Sequence, residues 1–243
     1  LEQNLIDHEQ AIYDRALREA VAHAADYLIE VARPSEKKDG RLPQMQDGYE
    51  IRPLILGRLE RLLRAKDPSH PVLGPWVQLS KVPDDAFASD AGGKLNQCIR
   101  SIPNLNTCVA QELISTKPHS LNDLAAAYGR LVARVVDREN EEAKSLIKES
   151  KDLHSLWLVF GKVGTPFVVL EHEWKSVSKR SERDEHSKRK RKMLAHQADA
   201  PGGPPRAMVL VDKAKPTESF VFLRGSPGRR GEKIDRRVPQ ILG

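Results

Sequence analysis

Cysteine, aromatic residues and long apolar runs are all scarce in this chain. Its two cysteines, Cys98 and Cys108, are separated by nine residues in NQCIRSIPNLNTC, which matches neither the CxxC pairing of a structural zinc site nor the CxxCH of covalent haem attachment. A disulfide between them would need an oxidising compartment, and two ordinary thiols are the plainer reading. No stretch approaches the roughly 18 to 20 apolar residues that a membrane helix needs. A glycine-rich phosphate loop, a GxSxG and an HExxH are missing too, so nucleotide-binding, serine-hydrolase and zinc-protease readings have no motif to rest on. Of the eight histidines, His172 sits between Glu171 and Glu173, but consecutive side chains on a helix point to different faces. We therefore expect no catalytic, cofactor-binding or metal-ligating residue in this segment.

What the chain does have is charge, unevenly placed. Charged residues make up 30% and the net charge is +6. Lys175 to Lys192 holds nine bases against three acids, a local +6, and Arg224 to Arg237 holds six against two, a local +4. The remainder is then slightly acidic, at −4. The basicity belongs to two clusters rather than to the whole surface. The run Lys188, Arg189, Lys190, Arg191 and Lys192 has the composition of a polyanion patch, but the interleaved Glu182, Asp184 and Glu185 also fit a solvated helix face. Arg224, Arg229, Arg230, Arg236 and Arg237 form a second candidate anion-binding group beside a Gly/Pro-rich turn. Its plainer reading is structural, with Arg224 held by an acid and the glycines routing the chain out of a hairpin.

Apolar periodicity places the helices. From Leu5 to Val31 apolar residues recur at three and four positions with no Pro or Gly, predicting one long amphipathic helix that ends at Arg33-Pro34. A second helix is expected from Ile51 to Ala65 and would pack on the first as an antiparallel hairpin. Short helical pieces follow around Trp76, with a turn capped by Asp84 or Asp85 and a Gly-rich bend at Asp90 to Lys94. Ser120 opens a strongly amphipathic helix that fades into the charged stretch Asp137 to Glu142. A short buried helix is expected over Asp152 to Phe160, and a long one from Glu171 to His196. After a linker at Ala200 to Pro205, the apolar runs Ala207 to Val211 and Ser219 to Leu223 are expected to pair as antiparallel strands. The predicted fold is mainly α: helical hairpins or a bundle over residues 1–199, then a linker and small β-hairpin over 200–243. The chain opens without Met and stops just after a PQIL run, so we expect a piece of a longer protein.

The tail PPRAMVLVDKAKPTESFVFLRGSPGRRGEKIDRRVPQIL, together with HPVLGPWVQLSKVP, SLNDLAAAYGRL and LWLVFGKVGTPFVV upstream, resembles a segment of the large exported planctomycete-type proteins that combine cytochrome-c-like domains with two domains of unknown function. The resemblance covers most of the chain and places it between those two domains. It implies a periplasmic or cell-surface location, flanking domains of the same polypeptide as partners, and haem c elsewhere in the parent. No CxxCH occurs here, so no haem role passes to any residue of this sequence. The expected function is a non-catalytic helical connector or scaffold in a multidomain, redox-linked protein. The alternative is a polyanion-binding module, for nucleic acid or a sulfated glycan, using the two basic clusters. A weaker alternative is part of a glycan-handling enzyme.

Overall fold

The computed structural model describes residues 1–35, 45, 48–136, 145, 147–199, 218–225 and 228–234. The chain is mainly α-helical and closes with a two-stranded antiparallel sheet, the class that its sequence pattern predicts. It divides into two compact units, Leu1–Leu194 and Ala195–Gly243.

The first apolar stripe forms α1 (Glu2–Ala22) and α2 (Ala24–Ala32), with a single-residue joint at His23, φ −98° and ψ 18°. Helical hydrogen bonding continues across it, from the His23 amide to the Glu19 carbonyl and from the Tyr27 amide to the His23 carbonyl. The His23 ring lies 2.7 Å from the Asp26 carboxylate and stacks on Tyr49 with centroids 3.9 Å apart. These side-chain contacts hold a kink where a continuous helix was expected. Helix α3 (Pro53–Arg64) begins with proline in its first turn, where the missing N–H costs nothing, and packs on α2.

After α4 (Gly74–Leu79), α5 (Asp84–Ser101) and α6 (Thr107–Thr116), the chain forms α7 (Leu121–Val136), the centre of the helical unit. Its buried residues, among them Leu124, Ala127, Tyr128, Leu131, Val132 and Val135, cover more than one face, so it is surrounded rather than laid on a surface. It packs against α1, α2, α6 and α8 (Lys151–Phe160). Small residues set the spacing to α2: a Cβ added at Gly129 would touch the Ala25 backbone nitrogen at 3.5 Å. The Ser120 hydroxyl accepts the Asp123 amide at 3.1 Å, while the Asp123 carboxylate accepts the His119 amide at 3.1 Å, which satisfies two donors at this helix entry. The fully buried Tyr128 donates to the Val72 carbonyl at 2.8 Å and accepts the Trp76 amide at 3.2 Å, tying α7 to the start of α4.

Two further expectations require correction. The Gly-rich bend at Asp90 to Lys94 lies inside α5, where Gly92 and Gly93 face open space while Phe87, Leu95 and Cys98 are buried. Packing of that face outweighs the cost of about 1 kcal/mol per helical glycine. The long helix from Glu171 is broken: a 3-10 turn, Glu171–Glu173, leads into α9 (Trp174–Val177), Ser178 is extended at ψ 148°, and α10 (Arg180–Asp199) starts anew. The restart is fixed by Glu182, which reaches back to accept the Lys179 amide at 2.7 Å, and by Arg183, which donates to the Ser178 carbonyl at 2.7 Å. In the second unit, β1 (Ser219–Phe222) pairs antiparallel with β2 (Arg230–Ile234), a strand that the sequence pattern does not predict, in the register Ser219 opposite Ile234 and Phe220 opposite Lys233. The Ala207 to Val211 run lies outside the described residues, as does Asp137 to Glu142.

Candidate polyanion-binding surfaces

Helix α10 is almost devoid of apolar side chains, and a polar seam holds its first half to α1. Arg15 donates to both carboxylate oxygens of Glu182, at 2.7 and 2.8 Å. One turn on, the buried His186 places Nε2 2.6 Å from Glu9 Oε1, with its ring 4.4 Å from Trp174. One turn further, Arg189 donates to Asn4 Oδ1 at 2.6 Å and to Glu185 at 3.1 Å. Positions 182, 186 and 189 lie on one face at 100° per residue, and that face is α10's inner side.

This geometry divides the predicted basic run. Arg189 is half-buried and committed to α1, whereas Lys188, Lys190, Arg191 and Lys192 are exposed. Arg191 makes one weak contact, from Nε to the Ser187 carbonyl of its own helix at 3.4 Å. None of these four has an acidic partner among the described residues. Lys188, Arg191 and Lys192, at i, i+3 and i+4, form one outward stripe.

The second cluster is looser. Arg224 sits in the left-handed region at φ 52° and is exposed, with no acidic partner among the described residues. Arg229 is exposed and uses its carbonyl to accept the Leu223 amide at 2.9 Å. The Arg230 guanidinium lies 5.2 Å from the Phe220 ring centroid, a cation–π contact, and Lys233 pairs with Glu218. Arg236 and Arg237 lie outside the described residues. Lys188 to Lys192 belong to the first compact unit and Arg224 to Arg230 to the second.

Reading by composition missed a third basic group. A cavity of about 410 Å³ at the start of α10 is lined by Arg52, Lys179, Arg180 and Arg183, with Glu50 its acidic wall residue. Lys179, Arg180 and Arg183 belong to the same basic run as Lys188 to Lys192. Arg52, more than a hundred residues earlier, left no signal in the sequence.

Cys98 and Cys108 are free and buried; burial pushes the Cys98 thiol above its ordinary pKa, and its Sγ lies 3.1 Å from Gln78 Oε1 as donor. Among the described residues no three His, Cys, Asp or Glu side chains are grouped to hold a metal, and no helix is long and apolar enough to cross a membrane. No family model matches the chain, and neither the curated proteins nor the solved structures include a match.

Proposed function

We propose that this chain is a helical connecting module without a reaction of its own, whose C-terminal hairpin docks a neighbouring domain of a larger exported protein. The observation that carries this reading is the hairpin's own surface. Val221, Phe222, Leu223 and Ile234 are 44%, 48%, 52% and 48% exposed, three large apolar side chains in two short strands and a fourth in the turn that follows the first. A two-stranded sheet has two open edges and little core, so apolar residues at that density favour contact with a further surface. Hydrogen exchange tests the idea. Amides of residues 219–234 should gain protection when the segment is measured within its full-length polypeptide rather than alone. Equal exchange in both, or turnover of a substrate by the segment alone, would sink it.

The outward stripe on α10 supports a second reading, a polyanion-binding module. Three cations without acidic partners along one helix face present a ladder of charge at a spacing that phosphates or sulfates can meet. Retention on heparin that weakens steeply with salt is the expected behaviour.

A further inference from the structure

We propose that the cavity at the start of α10 binds a tetrahedral oxyanion, the head of a phosphate or sulfate monoester, between Arg52 on one side and Arg180, Ser181 and Arg183 on the other. This site is distinct from the outward lysine stripe, and the inference does not depend on the hairpin's role.

Charge is the first support. The lining holds four basic residues and one acid, a net +3 around about 410 Å³, within the rough 300 to 1,000 Å³ range of small-ligand sites. The basic groups come from two parts of the fold. Arg52 directly precedes α3; its amide donates to the Tyr27 hydroxyl at 2.9 Å, and its guanidinium lies 5.9 Å from the Tyr49 ring centroid. That anchorage leaves the Arg52 side chain only 11% exposed. An arginine so fixed loses little further freedom on binding.

Competition for these donors is weak. Glu50, 68% exposed, comes no closer than 3.6 Å to Arg52 Nη1, longer than a hydrogen bond. The Nη1 of Arg183 donates to a neutral backbone carbonyl, which orients the guanidinium without cancelling its charge. Arg180 and the Ser181 hydroxyl have no partner among the described residues. Lys179 is different: it pairs with Glu19 at 2.9 Å and serves as wall rather than ligand. Burial alone would raise the Glu19 carboxyl, yet the Lys179 hydrogen bond and the charges of Arg15, Lys179 and Arg52 hold it below its ordinary value. Glu19 is therefore held as a carboxylate against Lys179, and the charge left for a ligand is that of Arg52, Arg180 and Arg183. A tetrahedral oxyanion offers oxygens in several directions to guanidinium forks and a hydroxyl, which a planar carboxylate does not.

Titration of the intact chain with phenyl phosphate, phenyl sulfate and benzoate, followed by calorimetry, tests this assignment. Saturable binding of at least one monoester is expected, with benzoate about tenfold weaker or more. Whichever monoester binds more tightly identifies the natural head group. The pair Arg180→Glu and Arg183→Gln should weaken binding by about tenfold or more, while Lys188→Glu with Lys190→Gln, the same change in net charge, should alter it less than about threefold. Ser181→Asp, which places an acid in the helix's first turn where it favours the fold, should abolish binding with Arg183 intact. The absence of saturation with both monoesters, equal affinity for benzoate, or equal losses in the cavity and lysine variants would overturn the proposal.

Discussion

His70 shows how much a single side chain can impose on a loop. Its Nδ1 accepts the amides of Val72 at 3.2 Å and Leu73 at 3.1 Å, which requires a free lone pair and hence a neutral ring. Burial first, and the charge of Lys66 second, lower its pKa from the ordinary 6.5. The unfolded chain then takes up the proton before the folded one, so this group's contribution is full above about pH 6.5 and is lost as pH falls through the lower folded value. His70→Asn keeps an acceptor but cannot titrate, and urea melts of this variant should show a flatter decline of stability between about pH 7 and 5 than the parent. Two glycines make a sharper contrast. A Cβ at Gly161 would sit 2.4 Å from both the Val135 carbonyl oxygen and Trp157 Cδ1, and a backbone oxygen cannot retreat as a side chain can. Gly161→Ala should cost about 2 to 4 kcal/mol in denaturant melts. Gly57, inside α3, meets nothing within 4 Å, and Gly57→Ala should instead gain about 0.5 to 1 kcal/mol.

At the scale of elements, Asn106 links helices that the sequence presents as separate. Buried at the entry to α6, it accepts the Val109 amide at 3.2 Å and donates to the Asp152 carbonyl at 2.7 Å and Ser155 Oγ at 2.9 Å, so one side chain caps α6 and fastens α8. Asn106→Ala should destabilise by about 2 to 3 kcal/mol, more than a cap alone, and hydrogen exchange should rise in both helices. Such cross-links explain which parts of the fold were legible. Helix α7 announces itself because a wide apolar stripe and the Ser120 cap depend only on local spacing. The break before α10 is invisible to periodicity, since neither Pro nor Gly marks it and the deciding bonds come from Glu182 and Arg183 folding back on the chain. Likewise the helical path through Gly92 and Gly93 is set by what α5 buries, not by their own preference. The strand Arg230–Ile234 escaped notice because Arg, Gly, Glu and Lys carry almost no β signal; its partner in register, not its composition, defines it. The same limit applies to the candidate sites: the lysine run is legible as composition, while the division between Arg189 and its neighbours, and the approach of Arg52, exist only after folding.

For the whole molecule, the net charge of +6 is less informative than its location. Outside the two basic clusters the chain carries −4, so a polyanion would be drawn to a patch and repelled elsewhere. If Lys188, Arg191 and Lys192 each meet one phosphate or sulfate, the logarithm of affinity should fall with the logarithm of salt at a slope near −3, roughly a fifty-fold loss between 50 and 200 mM. Lys188→Glu with Lys192→Glu should lower that slope by about 2 and shift heparin elution to much lower salt. Arg189→Ala is the informative companion. Its guanidinium is spent on Asn4 and Glu185, so its loss should weaken the seam that holds α10 and lower the melting temperature while leaving the salt slope nearly unchanged. Arg224→Glu with Arg229→Glu alters the hairpin by the same charge as the lysine pair. Were heparin affinity to follow those arginines instead, the polyanion surface would belong to the hairpin, and the exposed stripe on α10 would be no more than a solvated helix face.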